Sequence, residues 1–237
     1  MEWMLNRAIA HRGLHSGVDS PENSMRAFAA AIVHNHPIEL DVHLLADGHV
    51  IVFHDLDLER MTGVKGAIAH QTLASIQHLR LLGTEHHIPT LAESLEFIGG
   101  QVPILIEIKN RGRVGALEQA ILRLLKDYTG DVAVQSFNPY SLAWFKKHAP
   151  HIPRGQLASN FKDTDCAWGL KIILGNLLLN WASSPHFIAY DINALPNLPT
   201  TIAKQIFKRP LLAWTIRSQL EHQHALEYAD NIIFDSF

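Results

Sequence analysis

IELDVHLLADGHVIVFHD, Ile38 to Asp55, decides how the rest of the chain is read. Two apolar runs flank Asp47-Gly48, a pair that signals a two-residue hairpin turn. Strands joined by so short a turn are antiparallel, because parallel partners need a long crossover. Glu39, Asp41 and His54 stand inside these apolar runs. An ionisable group buried there is costly unless it is paired or bound to a cation.

Around the hairpin, short apolar runs alternate with helical stretches. The hairpin arms and the runs at residues 8–13, 103–109, 132–137, 154–158, 187–193, 211–217 and 231–237 make nine strand candidates. The antiparallel arm, residues 50–55, cannot be a stave of a parallel barrel. The eight that remain, with helices between them, predict a (β/α)8 TIM barrel in an α/β chain. An open doubly wound sheet is the alternative, but no glycine-rich phosphate fingerprint follows the first strand. The reading is one domain over residues 1–237, with an irregular insertion at 56–89 and no eighth helix after the last strand. The segment Met1–Arg7 is expected to cover the barrel bottom. Ser20 is expected to cap the first long helix, with Pro21 at its first position.

Composition narrows the partners. The chain has 237 residues, 47% of them hydrophobic, and a net charge of −3 without a basic stripe, which argues against a nucleic-acid partner. The single cysteine, Cys166, allows no intrachain disulfide and fits a reducing compartment. The N-terminus lacks the apolar region of a signal peptide, and the apolar stretch at residues 167–182 falls short of the ~20 residues that span a bilayer. A cytoplasmic location is the expectation.

Strand parity then places side chains. Glu39 and Asp41 share a face, ~7 Å apart along the strand. A two-residue turn pairs Ala46 with His49 and, counting outward, Asp41 with His54, with Cβ atoms ~5 Å apart. The bland alternative is the charged surface of an amphipathic hairpin. In PILIEIK, residues 103–109, Ile104, Ile106 and Ile108 alternate with Leu105, Glu107 and Lys109. Glu107 and Lys109 then point inward at the carboxyl end of a stave, where barrel active sites form. His11 and Trp214 are further inward candidates near the ends of their strands.

Together AHRGLHSGVDSPENSMRAF, IELDVHLLADGHVIVFHDLDLERMTG, LIEIK, QSFNP and AWTIR resemble the glycerophosphodiester phosphodiesterase family of the PI-PLC-like phosphodiesterase superfamily, over nearly the whole chain. The resemblance implies a TIM barrel that hydrolyses a glycerophosphodiester, a small molecule, to sn-glycerol 3-phosphate and an alcohol with a divalent cation. It implies Glu39, Asp41 and Glu107 as metal carboxylates and His11 and His54 as the acid/base pair. Arg12 would hold the phosphate with Lys109 beside it, Glu22 and Asn23 would be positioning residues, and Trp214 would line the pocket. An all-oxygen donor set favours Mg²⁺ or Ca²⁺. Asp41 is expected to favour the charged form of His54 unless the cation cancels it. The ending FDSF departs from the family by lacking a proline, which leaves the barrel closure open.

Other residues carry blander readings. His15 and the pair His86–His87 read as loop histidines, and His43 as lying beyond the mouth. Gln135 and Asp191 are open between a pocket position and a buried, hydrogen-bonded one. Arg111 and Arg217 read as surface positions, and Cys166 as a packed or partly exposed thiol. The apolar helix near Leu170 is either a buried outer helix or a patch of Trp168, Leu177 and Trp181 for a membrane or a second subunit, a homodimer. The competing functions are a lysophospholipase D at a membrane surface and a non-catalytic binding barrel.

Overall fold

Eight parallel strands close into a ring in the computed structural model, which describes residues 1–110, 112–162 and 167–237. The strands are β1 (Ile9–Ala10), β2 (Ile38–Leu44), β3 (Val50–Val52), β4 (Ile104–Ile108), β5 (Val132–Ser136), β6 (Arg154–Ala158), β7 (Phe187–Asp191), β8 (Leu211–Ile216) and β9 (Asn231–Phe234). Neighbours run β1-β2-β4-β5-β6-β7-β8-β9, and β9 pairs in parallel with β1, Ile9 opposite Ile233. The barrel therefore closes without the proline missing from FDSF. β3 pairs antiparallel with β2, its one strand neighbour among the described residues, and stands outside the ring as its short turn requires.

The hairpin register differs from expectation by one residue. Val42 faces Val52 and Leu44 faces Val50, so Asp41 lies opposite Phe53, whose N–H donates to the Asp41 carbonyl at 2.9 Å. The loop holds three residues, Ala46, Asp47 and Gly48, with Gly48 at φ 85° and the Leu45 N–H donating the closing bond to His49 O. A left-handed glycine ending a three-residue loop is the next commonest hairpin solution. A slip of one residue exchanges the faces of a strand. Ile51 and Phe53 accordingly join Leu45 in a separate core with Leu58, Met61, Ile68, Ile76, Leu79, Leu81 and Ile88. That core holds the insertion, whose elements are short: Glu59–Thr62, Ile68–His70, Leu73–Ile76 and Leu81–Gly83.

Alternation along the staves separates two layers. Ile104, Ile106 and Ile108 pack outward against the helices Leu91–Ile98, Ala116–Leu125 and Pro139–His148. Leu105 points inward with Ile9, Ala133, Leu157, Phe187, Ala189, Leu212 and Ile233. Trp3 and Met4, on the short helix Trp3–Asn6, are buried against this inner layer and plug the bottom. The first long helix begins at Met25, with Ser24 as its cap accepting from Ala27 N–H, and not at Pro21. The residues between are diverted to the site, as described below. The apolar segment after β6 is not a buried outer helix: in Trp168–Gly175 only Gly175 is buried. Trp168 and Trp181 are 78% and 77% exposed, whereas Leu177 is buried. Among the described residues no helix is long and apolar enough to cross a membrane.

Candidate active site

The carboxyl ends of the staves carry an inward polar layer above the apolar one. Asp41 on β2 sits directly beside Glu107 on β4, and Glu107 beside Gln135 on β5. Glu39 lies one inward position deeper, level with Leu105. Carboxylate oxygens of Glu39, Asp41 and Glu107 all fall within 4.8 Å of one another, and the three residues are buried. Oxygens this close repel unless a cation lies among them, so the donor set fits a hard divalent ion.

Two side-chain cations contribute to the balance. Lys109 Nζ lies 2.9 Å from Asp41 Oδ1 and 2.6 Å from Glu107 Oε1. Arg12 Nε lies 3.3 Å from Asp41 Oδ2, and the Arg12 backbone N–H donates to Glu39 Oε2 at 3.1 Å. Arg12 reaches that position through a left-handed backbone, φ 55°, followed by Gly13 at φ 78°. A Cβ on Gly13 would lie 2.9 Å from the Ala27 carbonyl carbon, so the loop after β1 demands glycine there. Asn23, also left-handed at φ 56°, donates from Nδ2 to Asp41 Oδ2 at 2.8 Å. Glu22 Oε1 accepts from Arg12 Nη1 at 2.8 Å. Residues 21–24 are therefore shaped by these bonds, which is why helix formation waits until Met25.

Electrostatics divide the carboxylates. Burial, reinforced by Asp41 and Glu107, pushes the Glu39 carboxyl well above the usual range. Burial likewise raises Glu107, with Lys109 opposing and Asp41 adding. Burial would raise Asp41 too, but Lys109 and Arg12 outweigh it and hold that group far below the usual range. Lys109 stays charged: its burial is overcome by Asp41 and Glu107.

His11, Arg12, Glu39, His54, Glu107, Lys109 and Trp214 line one cavity of about 230 Å³, together with Gln135, Phe137, Thr215 and Arg217. Asp41 contacts the cavity through its ion pair with Lys109, and Trp214 packs edge-on against Phe137 at 5.6 Å. Each histidine is held at Nδ1 by a carboxylate: His11 by Asp235 Oδ1 and His54 by Asp55 Oδ1, both at 2.7 Å. Such a bond fixes the tautomer and leaves Nε2 for other work. Burial lowers the pKa of both rings, that of His54 to about 4. The expected preference for a charged His54 beside Asp41 is present but outweighed. Asp41 does favour the charged form, but burial is the larger effect, and Lys109 and Arg12 add to it.

Several groups at the site were not legible in the sequence. Asp235 accepts from His11, His15 at 3.1 Å and Arg217 Nε at 2.8 Å. Arg217 thus lines the cavity and is ion-paired. Gln135 donates to Glu39 Oε1 at 3.3 Å, which places it in the pocket. Asp191 does not join it; its Oδ1 accepts from Asn193 N–H and closes a turn. His43 Nε2 lies 3.1 Å from the His54 carbonyl. Arg111 and Cys166 lie outside the described residues. A second cavity of about 520 Å³, walled by the insertion, shares His54 and Lys109 with the first.

A model described as the glycerophosphoryl diester phosphodiesterase family matches residues 11–236. A glycerophosphodiester phosphodiesterase of Caldanaerobacter subterraneus is 38% identical over 168 residues, 65% of this chain and 67% of that protein. A rat lysophospholipase D is 32% identical over 137 residues, 52% of this chain and 42% of its own length. Among solved structures, an Oleispira antarctica phosphodiesterase in complex with the product sn-glycerol-3-phosphate superposes with a TM-score of 0.80 at 24% identity, covering 98% of this chain and 93% of that one.

Proposed function

Since the chain belongs to the glycerophosphoryl diester phosphodiesterase family, a family of enzymes, we propose that it hydrolyses glycerophosphodiesters to sn-glycerol 3-phosphate and an alcohol. In this reading Glu39, Asp41 and Glu107 hold a divalent cation, Mg²⁺ or Ca²⁺. The observation that carries it is the triad of buried carboxylates beneath a cavity that also holds two carboxylate-bound histidines, Arg12 and Lys109. A bound cation supplies positive charge to the phosphoryl oxygens as negative charge builds on them.

The chain's own groups do the remaining work. Arg12 presents a planar fork to the phosphate while Glu22 and Asp41 hold it from behind. Lys109, with two of its N–H directions taken by Asp41 and Glu107, has a third for a phosphate oxygen. One of His11 and His54 takes the proton of the attacking hydroxyl, from water or the substrate's own glycerol, and the other gives a proton to the departing alcohol oxygen. Acid–base help of this kind is worth ~10²–10⁴ in rate. Glu22 and Asn23 position, and Trp214 walls the glycerol side. The insertion cavity gives the alcohol a place to leave through.

The test is glycerol 3-phosphate release from a panel of glycerophosphodiesters, with EDTA and then with Mg²⁺ or Ca²⁺ restored. Turnover lost in EDTA and absent in Glu107→Gln is expected. Full activity in EDTA, or no glycerol 3-phosphate from any diester, overturns the reading.

Exposed Trp168 and Trp181 favour a second reading, a lysophospholipase D that touches a membrane surface. Faster turnover of lysophosphatidylcholine than of glycerophosphocholine, with binding to liposomes, is its signature. The same patch is where a homodimer would form, which sedimentation decides. The lone cysteine supports a cytoplasmic location.

A further inference from the structure

Arg60 belongs to the insertion and lines its cavity, and its guanidinium is held on both sides by carboxylates that are not assigned to substrate or metal. Nε and Nη2 donate to Asp55 at 2.5 and 3.0 Å, and Nη1 and Nη2 to Glu22 at 3.0 and 2.7 Å. Those two carboxylates have second duties. Asp55 Oδ1 holds His54 Nδ1 at 2.7 Å, and Glu22 Oε1 holds Arg12 Nη1 at 2.8 Å. We propose that Arg60 is a positioning residue that joins the His54 support to the Arg12 support and ties both to the insertion. The proposal rests on the functional reading of His54 and Arg12 given above.

An isolated surface ion pair would not justify this, since such pairs contribute little. Here four N–H groups of one planar fork are engaged by two carboxylates, a geometry that lysine cannot reproduce. The mounting is firm. Arg60 sits on the helix Glu59–Thr62, which Gly63 ends in a left-handed cap, and the neighbouring Leu58 and Met61 are buried in the insertion core. Without Arg60 the carboxylates of Asp55 and Glu22 lose the charge between them and the bonds that aim them. His54 and Arg12 then each keep a partner that is free to rotate. Misplacement of working groups by ~1 Å can cost ~10²-fold in rate.

The test uses Arg60→Gln and Arg60→Lys in the full chain, with two readouts. The first is a kinetic cycle with Asp55→Asn and Glu22→Gln. Arg60→Gln is expected to lower kcat/KM ~10–100-fold. On either carboxylate variant its further cost should be smaller than on the parent, because the charge of one of its two partners is already gone. Arg60→Lys should recover little. The second readout needs no turnover: long-range ¹H–¹⁵N spectra of the histidine rings, with His54 assigned through His54→Gln. A single Nδ1–H tautomer is expected in the parent, and a mixture in Arg60→Gln and in Arg60→Lys. Unchanged His54 signals in both variants overturn the proposal, as does a cost that multiplies through undiminished with both carboxylate variants. A parent that releases no glycerol 3-phosphate defeats the functional reading instead, and the spectra still judge Arg60. Circular dichroism and melting identify a variant that fails to fold, leaving the other to decide.

Discussion

Glu39→Gln should make the metal-free protein more stable while abolishing its response to metal. Glu39 Oε2 accepts from Arg12 N–H and Oε1 from Gln135, both acceptors' roles that an amide oxygen can share only once. The introduced NH₂ has a destination, because Gln135 Oε1 is buried without a hydrogen-bond partner among the described residues. Rotation of the Gln135 amide then preserves the network, and one hydrogen bond of this kind is worth ~1 kcal/mol. Removing the acid also removes a carboxyl whose ionisation burial, Asp41 and Glu107 all oppose. The sign follows from linkage. A carboxyl raised in the folded state contributes stability that is lost as pH rises from the unfolded value of 4.5 through the folded one. Melting in EDTA should therefore place Glu39→Gln above the parent by roughly 2–4 °C, from ~1 kcal/mol in a domain of this size, with the gap growing as pH rises. With metal at a hundred times Kd the parent gains ~2.7 kcal/mol, or roughly 5–10 °C, and the variant gains none. A variant less stable than the parent in EDTA at pH 8, or one that keeps the metal-dependent shift, would refute this reasoning.

Gly155→Ala should destabilise the barrel, because the added Cβ would lie 2.0 Å from Phe187 Cε2. Overpacking costs ~1–3 kcal/mol or more, and Phe187→Leu in the same chain should return part of it in urea unfolding. Asp235→Ala removes the acceptor of the His11 Nδ1 bond and should lower kcat ~10-fold or more in the diester assay. Burial would raise Asp235, but the bonds from His11 and His15 outweigh it, so the stability it contributes is present above pH ~4 and lost in acid; melting curves of the variant and parent should converge below that pH. His54→Gln should flatten the loss of stability between pH 6.5 and about 4, since the unfolded ring gains a proton in that window before the folded one does. The ring is a third exposed, so the effect is discounted to ~1–2 kcal/mol and read by denaturant unfolding at a series of pH values.

What the sequence made legible was local. The alternation in PILIEIK placed Ile104, Ile106 and Ile108 outward and Glu107 and Lys109 inward, and β4 has that arrangement. Setting residues 50–55 aside as an antiparallel arm left the ring of eight. Register was harder: Asp47-Gly48 fits loops of two or three residues, and only the left-handed Gly48 after a longer turn tells them apart. Ser20 and Ser24 are equally good caps in isolation, and the choice falls to Ser24 because Glu22 and Asn23 are bonded to Arg12 and Asp41. Strand parity gives Gln135 and Asp235 a face but no partner, and Arg60 lies on no strand. Glu39, His11 and Glu22, which they bond, lie 96, 224 and 38 residues away, so closure of the barrel and the folding of the insertion create these contacts.

The seam between β1 and β9 has a consequence for folding. His11 precedes Asp235 by 224 residues, and they meet only when the final stave docks beside the first. A chain still waiting for that stave has an unsealed ring and a His11 without its carboxylate. Docking of β9 therefore seals the ring and supplies the His11 tether in one event.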